Sequence, residues 1–511
     1  MRGELDREPL GRIGLGRIHG ARNAEVSEEI KAAVGVPGCR MGEGDPRTAA
    51  ARVVWPRDAS ARRRAPSLHQ AGGLEAEPNF FLAGDLAGVV EGSFWPATSG
   101  ALNEKGKKIG VVARVAHGGR NPFLPMKTLC AVLLLVGAVG RAAEIPTPNF
   151  RAVDIDTKIE IGYGLAVADV DGDGKADVLL ADKKSVVWYR NPTWEKFTIA
   201  ENLTEKDNVC IAAADIDGDG KCEVAVGAEW NPGDTVNSGA VFFLIAPADR
   251  TQRWEPVRLP HEPTVHRMQW VKNRAGAFEL LVQPLHGRGN KNTVGAGARL
   301  LAYTVPADRR GEWKTAVVGD FMHASHNLQS INWDRDPEEE IIAAGKEGVW
   351  FFGASTGEWR RRQFTDQPAG EIRDGKLPGG RRFITTIEPM HGLAVAVYLE
   401  PEHAGGLWAR QALDETLKDG HALAVGDVLG TGSPQIVAGW RAMNPRGAPG
   451  IRLYAPGDAA GTAWQTFEIS GPEVAVEDLK LADLNGDGRL DIIAAGRQTK
   501  NVRIFFNLGT K

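Results

Sequence analysis

The chain has 511 residues, a hydrophobic fraction of 42% and a formal charge of −4. That is ample for a large core, and the near-neutral balance argues against a nucleic-acid scaffold. With 62 Gly and 29 Pro, the composition fits many short strands joined by turns.

Residues 1–125 are Arg/Gly/Ala-rich, as in Ala61-Arg62-Arg63-Arg64-Ala65-Pro66, and show no sustained strand or helix period. They read as a mis-annotated or disordered leader. Residues 126–143 then carry the layout of a secretory signal peptide: Met126-Lys127, an apolar run from Leu129 to Gly140, and small residues at Ala142 and Ala143. The run is too short for a comfortable membrane span. Translation is therefore expected to begin at Met126, and cleavage near Ala142 or Ala143 to leave a secreted or periplasmic chain with no membrane span. Of the cysteines beyond the signal, Cys210 and Cys222 flank one hairpin loop without being cross-strand neighbours, so no disulfide is expected.

From residue 147 onward one pattern recurs. Asp169, Asp171, Asp173 and Asp177 stand at positions 1, 3, 5 and 9 of a loop, with Gly174 at position 6. Asp215, Asp217, Asp219 and Glu223 repeat it, as do Asp483, Asn485, Asp487 and Asp491. Short oxygen side chains at alternate positions around a Gly turn suit a hard cation such as calcium, in a structural role. Apolar strands flank each loop, so each is a β-hairpin. Asn332, Asp334, Asp336 and Glu340 form a weaker copy in which Pro337 replaces the turn Gly. Asp427–Gln435, Lys272–Glu279 and Asp374–Arg382 read as hairpins that have lost the cation site.

The seven units start about 40–60 residues apart, the period of a propeller blade. Each continues with a third strand and a Trp-led fourth, as in Val186–Tyr189 followed by Trp194–Ile199. The last unit stops at its third strand, and Pro148–Ile155 matches Pro192–Ile199. The expected fold is all-β: a seven-bladed β-propeller of four-stranded antiparallel blades over 147–511, its ring closed by the N-terminal strand in blade seven.

Aligning the units by their loops exposes a second pattern. His266, His326 and His421 each stand six residues before loop position 1, with Glu477 and Tyr163 in the same slot of their units. That slot begins the innermost strand, which lines the channel. His286 and His391 lie in matching Pro-x-His-Gly turns between strands two and three. An antiparallel blade puts both positions on one face and the calcium-type loops on the other. Neutral imidazoles at a channel mouth suit zinc or another divalent metal, or general acid/base work. Trp230 and Trp440 on that face offer flat surfaces for a sugar ring, and Lys346 and Arg441 could stabilise an enolate.

The Asp-x-Asp-Gly-Asp-Gly hairpins resemble FG-GAP/VCBS repeats. The stretches Val265–Trp270, Gln283–Gly287, Glu388–Gly392, Gly420–Asp427 and Ala438–Arg441 are similar to the propeller part of aldos-2-ulose dehydratase, without its cupin domains. That resemblance implies a carbon–oxygen lyase acting on a keto-sugar such as 1,5-anhydrofructose. The competing reading is a non-catalytic surface propeller that binds glycan or protein.

Overall fold

The computed structural model describes residues 144–511, apart from 356–357, 404 and 443–447. The expected leader, 1–125, and the expected signal peptide, 126–143, lie outside the described residues. Every regular element described is a strand, and the strands form seven four-stranded antiparallel sheets. Six blades run through four consecutive strands. The seventh takes its outermost strand from the other end of the chain: Pro148–Asp156 pairs antiparallel with Asn501–Thr510, and Lys511 N–H donates to the Thr147 carbonyl at 2.9 Å. The ring is closed by the N-terminal strand.

The innermost strands are Gly164–Ala168, Cys210–Ala214, Val265–Lys272, Ser325–Ile331, Glu371–Lys376, Gly420–Gly426 and Val476–Ala482. The second strands carry the core. Asp177–Ala181, Glu340–Gly345, Gln435–Trp440 and Asp491–Gly496 are buried throughout. A strand covered by a blade on each side reads as a continuous apolar run rather than an alternation. Each buried Ile, Leu or Val there contributes about 1.5–3 kcal/mol. The fourth strands face solvent on one side, and Glu195–Glu201 accordingly mixes exposed and buried positions.

Blades meet closely where second strands end in Gly. A Cβ on Gly439 would sit 2.6 Å from Val476 Cγ1 of the next blade, and one on Gly227 would sit 2.5 Å from Cys210 Sγ and 2.8 Å from Val265 Cγ1. Polar pairs join the inner strands nearer the axis. Gln269 and Ser330 exchange two hydrogen bonds, at 3.0 and 3.1 Å, and Gln329 and Asp374 do the same at 3.0 and 2.9 Å. Cys210 and Cys222 are both free and buried.

Candidate functional site

Four residues of the repeated slot share one backbone device. Pairing between first and second strands slips at His266, His326, His421 and Glu477: each is skipped between the strand's first paired residue and the next. A bulge leaves the extra residue out of the ladder and re-aims its side chain. All four are nonetheless buried, because what they face is one another.

A closed chain of contacts results. The Trp230 indole stacks on His266 with ring centres 4.9 Å apart. His266 is 4.6 Å from His326, His326 is 4.8 Å from His391, and His391 is 4.7 Å from His421. His421 Nδ1–H donates to the Glu477 carbonyl at 2.6 Å, and the Glu477 carboxylate accepts from Arg497 at 3.0 Å. The Arg497 guanidinium lies 5.4 Å over the Tyr163 ring. Tyr163 Oη–H donates to Asp207 at 3.2 Å, and the Asp207 carbonyl accepts from Trp230 N–H at 3.0 Å. The circuit passes through all seven blades.

Its protons can be assigned from carbonyls, which only accept. His266 Nδ1 lies 3.0 Å from the His326 carbonyl, and His326 Nδ1 lies 3.1 Å from that of Gly370. With His421 bonded to Glu477, all three carry the proton on Nδ1 and present a lone pair at Nε2. Arg267 Nη1–H covers His266 Nε2 at 3.1 Å. The His326 and His421 lone pairs face His391. His391 Nε2 stands 2.9 Å from His326 Nε2 and so donates its proton there, while its Nδ1 accepts from Arg441 at 3.4 Å. One ring nitrogen from each of His326, His391 and His421 lies within 4.8 Å of the others. His326 and His421, pinned at Nδ1 by carbonyls, and His391 between them bring one nitrogen each to what has the chemistry of a transition-metal donor set.

Electrostatics keep these rings neutral. Burial, then the nearby arginines and imidazoles, holds His266, His391 and His421 well below the usual histidine range. Burial also lowers His326, against the opposing pull of Glu371. His391 alone keeps an appreciable side-chain exposure, 36%. It sits at φ 54°, a left-handed conformation rare for a non-glycine residue. Arg441 binds Asp419 at 2.8 Å and Glu477 at 2.6 Å.

Several residues expected at the mouth stand elsewhere or are otherwise engaged. Among the described residues His286 makes no contact within the circuit; its Nδ1–H donates to the His323 carbonyl at 3.0 Å, beside a part-buried His323–Glu347 pair at 2.7 Å. Lys346 reaches outward to Thr293 at 2.6 Å. Trp440 is buried, its indole N–H on the Ala448 carbonyl at 2.8 Å, and lines an outer cavity of about 340 Å³ instead of the mouth. Glu477, engaged by two arginines, is not a free base. Sequence reasoning missed Glu371, Arg497, Arg267, Asp419 and Asp207. The turn of blade five is Leu377–Arg381, not at Asp374, and six residues before Leu377 stands Glu371, 3.2 Å from His326 Nδ1. Arg497 was legible too, since its backbone position matches those of Lys346 and Arg441.

The hairpin loops present a different chemistry. Position 1 wraps the turn: Asp169 accepts from Gly172 and Gly174 at 2.7 and 2.8 Å, and Asp215 and Asp483 repeat this. Gly172 and Gly174 both sit at φ 81°, where only Gly is unstrained. Carboxylate oxygens of Asp169, Asp171 and Asp177 lie within 4.8 Å of one another, as do those of Asp215, Asp217 and Glu223, and of Asp334, Asp336 and Glu340. Asp171 Oδ1 is buried without a hydrogen-bond partner. Burial, and then neighbouring carboxylates, push Asp177 up to about 6 and Glu223 up to about 7. Crowded acids and an orphaned oxygen fit a hard cation held by Asp169, Asp171 and Asp177.

Residues 169–226 match the model of the FG-GAP-like repeat. The chain carries an FG-GAP-like repeat. No curated protein matches it. Among solved structures it is similar to an Agrocybe aegerita lectin that recognises non-reducing terminal N-acetylglucosamine, at 12% identity and TM-score 0.40 over 63% of this chain and 81% of that one. A chain of the mitotic checkpoint complex matches at 13% and 0.45, over 78% and 98%. BBS1N in complex with ARL6DN matches at 15% and 0.44, over 71% and 97%.

Proposed function

We propose that this protein is a secreted or periplasmic carbon–oxygen lyase acting on a keto-sugar, 1,5-anhydrofructose or an aldos-2-ulose among the candidates, at the histidine circuit, with calcium in the hairpin loops as a structural ion. The observation that carries the reading is the cluster of His326, His391 and His421, all neutral, with the buried His326 and His421 set in tautomer by backbone carbonyls. Zinc or another divalent ion would be held by those three nitrogens and would polarise the substrate carbonyl.

The residues' own part is proton management. Elimination breaks a C–H bond next to the carbonyl, forms C=C, and expels hydroxide from the neighbouring carbon. His391 is the suited carrier, because it is the most exposed member of the cluster and the imidazoles of His326 and His421 beside it are neutral. Its Nε2 lone pair becomes available when its proton moves to Nδ1, 3.8 Å from Asp419 Oδ1. The proton it removes then leaves with the hydroxide as water, so atoms balance. Arg441 and Arg267 supply positive charge for the developing enolate. Holding a metal and carrying the proton are exclusive roles for His391, and metal content separates them.

The test is the full chain with metals measured by mass spectrometry and enone formation followed by absorbance on a keto-sugar panel. His391→Gln should lower the rate by at least about 100-fold. A wild-type protein that binds these sugars without converting any of them would replace the lyase with a glycan-binding propeller.

A further inference from the structure

Glu371 holds the slot position of blade five, but its strand lacks the slip seen at His266, His326, His421 and Glu477: it pairs directly with Ile387. Both contacts of its carboxylate go to blade four. Oε2 accepts from Asn327 Nδ2, and Oε1 stands 3.2 Å from His326 Nδ1. The His326 Nδ1–H bond itself runs to the Gly370 carbonyl at 3.1 Å, so Oε1 lies beside that bond and is left buried without a hydrogen-bond partner. The residue is 2% exposed. A buried carboxylate oxygen without a donor is costly unless a positive charge comes near.

Burial would raise the Glu371 carboxyl, but His326, and then Arg373 and Arg267, hold it below the ordinary range, so it carries its charge. Among the described residues the other two imidazoles of the cluster have no such neighbour. His421 Nδ1–H meets the Glu477 carbonyl at 2.6 Å. The Glu477 carboxylate comes to 4.0 Å from His421 Nε2 but is matched by Arg441 and Arg497. His391 Nδ1 faces Arg441 at 3.4 Å, and Asp419, 3.8 Å from that nitrogen, is paired with the same arginine. A divalent cation on three neutral imidazoles would bring two positive charges into a buried site. A carboxylate at the far N–H of a metal-holding imidazole fixes the ring and raises its basicity.

We propose that Glu371 is a positioning residue for the metal-holding histidines: its carboxylate backs His326 at Nδ1, keeps Nε2 turned to His391 and His421, and makes His326 the strongest of the three donors. This rests on the reading of those three side chains as holding a divalent metal, and it adds the residue that tunes them. Glu371 touches neither substrate nor metal; it acts through His326.

The experiment is a calorimetric zinc titration of the full chain, stripped of metal and then given excess calcium to keep zinc off the hairpin carboxylates. Wild type should bind zinc, and His421→Ala should lose it. Glu371→Gln, which keeps the shape but not the charge, should weaken zinc binding by about 10–100-fold. Glu371→Asp, which keeps the charge on a shorter stem, should recover part of that loss. Cobalt(II) in place of zinc reports on the donors through its visible bands, which should shift in both variants, more in Glu371→Gln; unshifted bands overturn the proposal even where Glu371→Gln does not fold. A Glu371 that only joins blades four and five would lower the melting temperature of both variants and leave zinc affinity within about twofold of wild type, which also overturns it. So do equal zinc losses in the Gln and Asp variants, because charge would then not be the cause. Wild type that binds no zinc, or keeps it in His421→Ala, overturns the metal reading of the circuit along with the proposal, whereas an unchanged Glu371→Gln overturns the proposal alone. No sugar is present, so the lyase reading is tested apart.

Discussion

Replacing Glu477 by Gln tests whether the mouth is an electrostatically bound assembly. The carboxylate is 2% exposed, with Oε2 2.6 Å from Arg441 Nη1 and Oε1 3.0 Å from Arg497 Nη1. Gln keeps the shape and one acceptor oxygen but removes the charge and turns an amide toward a guanidinium. Breaking a buried ion pair from one side costs about 3–5 kcal/mol. Arg441 keeps Asp419 at 2.8 Å, so the lower end applies and a loss of about 3 kcal/mol is expected. Urea unfolding of the wild type, Glu477→Gln, Arg441→Met and the double variant measures it, and the cycle isolates the coupling. A loss under about 1 kcal/mol, the level of an exposed ion pair, would mean that water screens the site and would refute the argument.

Two further outcomes are expected. Gly439→Ala should destabilise by about 1–3 kcal/mol through overpacking against Val476, and Val476→Ala should restore much of that loss in a thermal melt; no rescue would place the strain elsewhere. Calcium should raise the melting temperature more at about pH 8 than at about pH 5. Asp177 and Glu223, raised to about 6 and about 7, hold protons in the metal-free fold that the unfolded chain has released. Their protonation stabilises at low pH and is lost as pH rises through those values, which is where calcium takes over; Asp171→Asn should reduce the calcium effect, and a pH-independent shift would contradict the sign.

The blade repeat was readable because each hairpin repeats the same oxygen spacing and each second strand the same apolar run. Ring closure was readable because Pro148–Ile155 copies Pro192–Ile199. The site was only partly legible. His266, His326 and His421 were found through their distance to loops whose spacing holds, but in blade five the turn shifted to Leu377–Arg381 and hid Glu371. Trp440 illustrates the other limit. Whether a side chain at the end of a second strand turns to the axis or outward depends on packing against the third strand, and here Gly450 leaves room for the indole: a Cβ there would lie 2.9 Å from its ring. No spacing rule encodes that. The proton pattern depends on which carbonyls the bulges bring near Nδ1, a three-dimensional outcome.

The clasp between Pro148–Asp156 and Asn501–Thr510 has a consequence for the order of events in the cell. The contact circuit draws a residue from every blade, and the last blade is complete only when both ends of the propeller chain have met. Joining segments so far apart in sequence is a late and slow step. An incomplete chain emerging during synthesis would hold finished hairpins but no assembled mouth. Whatever chemistry the mouth performs is thereby withheld until the whole propeller has been made.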